Sequence, residues 1–187
     1  TDNGSGILRY FDSPTPGNAN GTVGYIFLSE EPIFTKKSGF YNLPINLNII
    51  PVLNDSVYYT FDNTDPNPSS PLYNGAIHIN NTQVVKAIAY KNGGLQSKSV
   101  SHLYIDNPAY SLPVMAIITD SSNLFGPEGI YTNYDEPWEK FCELKYIENS
   151  QLTAECNAGI RIQGASSTPM PKKSFRLFSD GHMEMPI

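Results

Sequence analysis

The chain has 187 residues, 40% hydrophobic and only 16% charged, which excludes a charge-rich disordered tail and a coiled coil. Eighteen acidic residues against 12 basic ones give a net charge of −6, which excludes a global basic field for nucleic acid but leaves a local patch open. No apolar run approaches the ~20 residues of a membrane-spanning helix, while 14 Gly, 15 Pro and 12% aromatics point to strands joined by turns.

Residues 1–29 are rich in Gly, Asn, Pro and Ser. The run Asp12 to Gly21 cannot form a regular element, because Pro lacks a donor and Gly costs entropy. The segment reads as a linker or the end of a preceding domain. No basic-then-apolar leader opens the chain at Thr1, and Met183 to Ile187 has no tail character. The sequence therefore reads as a piece of a longer, processed protein.

Residues 30–107 read as a β-sandwich of the fibronectin-III or immunoglobulin kind. Short apolar runs alternate with turn clusters: Pro32 to Phe34, Gly39 to Tyr41, then Leu43 to Ile49, where Asn46 and Asn48 between apolar neighbours give a period of two. Val57 to Phe61 follows, then a turn at Asp62 to Pro68, then strands at Ala76 to Ile79 and Thr82 to Tyr90. Asn92-Gly93-Gly94 signals a hairpin, and Ser97 to Ile105 is the last strand. About seven short strands separated by turn signals is the pattern of a sandwich able to fold alone. Asp62, Asn63, Asp65 and Asn67 lack the alternation of a calcium loop and read as an Asx-turn stiffened by Pro66.

Asp106-Asn107-Pro108 breaks the pattern and marks a domain boundary. Residues 108–187 read as an incomplete, β-rich α+β segment. Leu112 to Thr119 is a buried strand, and Asp120 or Ser121 caps one helical turn. Phe141 to Tyr146 and Thr153 to Cys156 flank a turn containing Glu-Asn-Ser-Gln, a hairpin that brings Cys142 and Cys156 near each other. These two form a candidate disulfide, with two buried free thiols as the other reading. Ala158 to Gly164 and Lys173 to Phe178 are strands around a Gly/Ser/Pro loop. His78, His102 and His182 are isolated, and no Ser-His-Asp set or paired-carboxylate site is supported. The sequence names no catalytic and no metal-ligating residue.

Three stretches carry resemblances. Ile7 to Gly17 resembles the closing segment of bacterial lamin-tail-like domains. Val57-Tyr58-Tyr59-Thr60-Phe61-Asp62-Asn63-Thr64-Asp65-Pro66, with Tyr73 and Val84 to Tyr90, is similar to the chitobiase C-terminal, or fibronectin-III-associated, family. That family has Gly where this chain has Asn63, and Asn tolerates the positive φ the turn needs. Leu112 to Thr119, Gly129 to Asn133, Trp138-Glu139-Lys140, Ala158 to Ser167 and Pro171 to Leu177 resemble the opening of CotH atypical kinases, known from spore coats and secreted multidomain proteins.

This last resemblance implies that the full-length parent transfers phosphoryl groups from ATP with a divalent metal. The family's metal-binding aspartates lie downstream, so this chain is expected to be inactive alone and to need no cofactor. Within it, a small-residue loop after a strand lets backbone N–H groups approach phosphates, and nearby cations neutralise them. The candidate nucleotide-binding residues are Arg161, Gly164, Ser166, Ser167, Lys172, Lys173 and Arg176. Taken without the resemblance, the same residues read as an ordinary loop with solvated lysines. The expected setting is extracellular or at the cell surface. The expected partners are adjoining domains of the same protein, with a protein substrate or a surface polysaccharide, and neither nucleic acid nor a membrane span. The rival reading is a non-catalytic carbohydrate-binding or adhesion module. Its stacking candidates, Tyr58, Tyr59, Tyr73, Tyr90 and Tyr104, are equally candidates for the core.

Overall fold

The computed structural model describes residues 6–13, 15–19, 24–52, 55–106, 112–164 and 167–178. The fold is mainly β, with the expected sandwich at its centre. One wall of the sandwich pairs β1 (Ile33–Phe34) with β4 (Ile49–Ile50) and β3 (Ile45–Leu47) with β6 (Ile77–Ile79), all antiparallel. The single strand expected over Leu43 to Ile49 is thus two short strands serving different partners. The other wall orders β5 (Ser56–Thr60), β7 (Gln83–Tyr90), β8 (Val100–Asp106) and β2 (Gly39–Tyr41). Alternation sends Val85, Ala87 and Ala89 of β7 inward, against Phe34, Leu47, Ile49, Val57, Ile79 and Tyr104. Asn46 and His78 point outward, as the period-two pattern requires.

The turn after β5 is the expected Asx-turn: Thr64 donates from both N and Oγ1 to Asp62 Oδ1, at 3.2 and 2.6 Å. Asn63 takes a φ of 65°. The expected linker is partly docked, since Ser29 N donates to Leu95 O at 2.8 Å and Leu95 N to Phe27 O at 2.9 Å.

The second part supplies β9 (Val114–Ile118), α1 (Ser121–Leu124), β10 (Lys140–Glu148), β11 (Gln151–Gln163) and β12 (Ser174–Phe178). Asp120 caps α1 by accepting from Ser122 N at 2.8 Å. The hairpin at 148–151 turns on Asn149 and Ser150, with φ of 50° and 63°, the left-handed pair that matches the twist of a two-residue loop. β11 runs unbroken for 13 residues where two strands were expected, because its Gly159 is paired on both sides, with Phe141 and Phe178.

Of the expected boundary at Asp106-Asn107-Pro108, Asp106 ends β8 and the other two lie outside the described residues, but the elements on either side are joined. β2 pairs β11 at Gly39 and Gln151, so a single eight-stranded sheet passes from the first part into the second. The outward face of β7 and β8 is not free either. Val84 and Leu103 are buried with Phe40, Ile118 and Ile147, and with Val114, Ala116 and Leu152 around them. β7 is consequently buried on both faces, which explains its near-continuous apolar run.

His102 sits in the inner layer, 9% exposed. Its Nδ1 accepts from Ser38 N at 3.3 Å, and its ring lies edge-on to Phe34 at 4.8 Å. Burial, with Lys145 and Lys37 nearby, lowers its pKa to about 3. An unfolded histidine titrates near 6.5, so below that pH the unfolded chain takes up a proton that the native one refuses. The resulting stability is whole above 6.5 and is lost as the pH falls from 6.5 towards 3, at about 1.4 kcal/mol per pH unit. Urea unfolding of the wild type and of His102→Gln across this window checks it. The wild type is expected to lose stability more steeply, and equal slopes would sink the assignment.

Candidate functional site

The register of the last hairpin decides where the candidate nucleotide-binding residues go. Arg161 and Arg176 are directly opposite across β11 and β12. Like charges facing each other in this way are unfavourable. Both guanidinium groups lie over the ring of Phe178, at 4.5 and 5.0 Å from its centroid, which offsets part of that cost.

Lys173 behaves differently. Its ammonium donates to the carbonyls of Thr168 and Met170 at 2.6 and 3.2 Å, and stacks on Tyr134 at 4.0 Å and Tyr131 at 5.2 Å. Tyr131 Oη donates to Pro171 O. The lysine thus ties its own loop to the segment after α1 and is committed to that work. Lys172 is exposed. Gly164 has a φ of 141°, and a Cβ there would stand 2.4 Å from Ser167 Oγ, so the loop closes this tightly only on glycine. Ser166 lies outside the described residues. Of the expected set, the structure brings the two arginines together and engages Lys173 with its own loop and with Tyr131 and Tyr134.

Cys142 and Cys156 are both buried and both free thiols. The register places Cys142 opposite Ala158 and Cys156 opposite Leu144, so they are diagonal neighbours on one face. The expected disulfide is not formed in this arrangement, because a direct cross-strand pair would need the cysteines at opposed positions. Burial, then the neighbouring Cys156 and the Glu143 and Glu139 carboxylates, push the Cys142 thiol up to about 11. It is a poor nucleophile.

A charged cluster that the sequence reading missed lies between the two layers. Lys145, only 3% exposed, donates to Glu155 Oε2 at 2.5 Å and lies 3.7 Å from Glu143. Lys86 reaches Asp65 at 2.7 Å and Glu143 at 3.4 Å, and Ser101 Oγ donates to Glu143. Burial pulls the Lys86 pKa down, but the Asp65 hydrogen bond and the Glu143 and Asp65 charges prevail and hold it above the ordinary value. The signal was available. Glu143 and Lys145 share strand parity, and Lys86 interrupts an apolar run, which a lysine does only with a partner.

Beside this cluster the layers diverge into a cleft of about 820 Å³, lined by Asp65, Lys86, Glu143 and Lys145 among others. A second hollow of about 690 Å³ continues it over Gly159 to Phe178, and Phe141 and Asn157 line both. Of the stacking candidates, Tyr104 is fully buried and Tyr59 and Tyr73 pack against the inner core. Tyr58 and Tyr90 are half-buried, edge to face at 5.6 Å. Among the described residues no three His, Cys, Asp or Glu side chains converge to hold a metal ion, and no helix is long and apolar enough to cross a membrane.

No curated protein and no solved structure matches the chain. Residues 52–104, which cover β5 to most of β8, match the family model described as Fn3 associated.

Proposed function

We propose that this chain is the spacer and docking module of a secreted multidomain protein. Its β-sandwich carries and orients the first strands of a CotH-like kinase domain, and the chain does no catalysis by itself. The observation that carries this reading is the join at β2 and β11, where the Fn3-associated strands and the later strands share a sheet and a core. A join of that kind holds the following domain at a fixed angle, which a flexible linker does not.

In the same reading, the opposed Arg161 and Arg176 are the residues that meet the ATP phosphates of the parent, since a bridging anion relieves their mutual repulsion. Phosphoryl transfer also needs metal ions and a group to orient the nucleophile. The test incubates the purified chain with radiolabelled ATP and magnesium or manganese, and titrates ATP in parallel by calorimetry. Weak binding that Arg161→Ala/Arg176→Ala abolishes, with no label transferred, is expected. Incorporation above a Lys172→Ala/Lys173→Ala control would overturn the non-catalytic reading, and ATP binding indifferent to the arginines would remove their role.

A further inference from the structure

We infer that the interlayer cleft and its continuation over Gly159 form a groove that binds a neutral oligosaccharide. The groove exists for a structural reason. The two faces that close over Val84, Leu103, Ile118 and Ile147 are bridged further along by the Lys86–Glu143 and Ser101–Glu143 contacts, and the cleft lies beside these. Space between two sheets normally fills with side chains. Here it opens instead onto a floor of fixed, mutually bonded charges.

The charge of that floor selects the ligand. Around the larger hollow stand four carboxylates (Glu31, Asp65, Glu143, Glu155) and three lysines (Lys86, Lys98, Lys145), and around the smaller one Glu139 and Lys140. The lining as a whole is one charge short of neutral. A polyanion gains nothing from it, and a polycation little. A polyhydroxylated ligand fits it better, because ion-paired carboxylates and ammoniums keep spare acceptor and donor positions, and a neutral hydroxyl fills these without uncompensated charge. Lys145 is 3% exposed and held from two sides, so the floor is preorganised.

The apolar component lies where a chain of sugars needs it. Phe141, the second residue of β10, lies beyond the end of the β9 pairing, is 53% exposed and lines both hollows. Its cross-strand partner is Gly159, whose partner on the far side is Phe178. The Glu139 side chain fills the space over that glycine, and Arg161 and Arg176 lie over the Phe178 ring, so Phe141 is the ring presented to a sugar, while Asn157, exposed and lining both hollows, supplies a two-way amide. The two hollows, of about 820 and 690 Å³, together offer more room than a single sugar fills. This groove does not depend on the kinase-like reading, and its ligand is uncharged where ATP is not.

The test probes the purified chain with cellohexaose, chitohexaose, mannohexaose and maltohexaose by calorimetry and by ligand-detected NMR, with heparin and polygalacturonate as anionic arms. Binding to at least one neutral oligomer is expected, weakened about tenfold in Phe141→Ala and in Asn157→Ala. Both positions are exposed, so the variants are expected to unfold at the wild-type temperature, which separates lost ligand from lost fold. No neutral binding, binding to the anionic polymers alone, or neutral binding untouched by both substitutions would overturn the proposal.

Discussion

Truncating Ile147 to Ala is expected to destabilise the whole molecule by about 2–5 kcal/mol, and in the same unfolding transition that Leu47→Ala shifts. Each side chain is fully buried, but in different clusters: Leu47 between the sandwich walls and Ile147 between the sandwich and β9 to β11. Were the sandwich an independent unit, each substitution would move its own transition. The two clusters instead share β7. Val85, Ala87 and Ala89 belong to the first, and Val84, one residue away, belongs to the second. A strand cannot keep one face packed while the other is hydrated and mobile, so the loss of either layer weakens the other. Calorimetry of the wild type and both variants checks this. A single endotherm is expected, moved by about 2–4 °C for each kcal/mol. Two endotherms, with one variant acting on each, would mean that the sandwich folds alone and the shared layer is a weak contact.

The strands were legible because their signals are local. Alternation placed Asn46 and Asn48 outward, and the Asp62 turn and the Asn149-Ser150 hairpin carry residues that tolerate the backbone they adopt. What stayed hidden was pairing. Nothing local to Gly39 announces that it joins Gln151, more than a hundred residues later. The candidate site divided along the same line. Arg161 and Arg176 came together because each strand could be read, and a hairpin fixes its own register. The contacts of Lys173 could not be read in advance because its partners, Tyr131 and Tyr134, belong to a segment whose approach to the loop is tertiary. Cys142 and Cys156 were placed on the right hairpin, but the diagonal offset depends on the register shift between Tyr146 and Ile147 together with a two-residue turn, which spacing alone does not reveal.

The buried lysine gives the sharpest test of how the layers are held. Lys145→Met keeps the aliphatic stem and removes the charge, so packing changes little. It leaves Glu155 without its 2.5 Å partner and deprives Glu143 of one of two cations. An uncompensated carboxylate in a buried setting costs about 3–5 kcal/mol, and the lower end applies here because the Glu155 side chain remains 35% exposed and can draw water. A loss of roughly 3 kcal/mol, little changed by added salt, is therefore expected in urea unfolding. Replacing both partners, Lys145→Met with Glu155→Leu, is expected to restore part of it, because the damage comes from the stranded charge and not from the missing attraction. Were Lys145→Met to cost less than about 1 kcal/mol and fade with salt, the pair would be of the surface kind, screened by solvent from the cleft beside it.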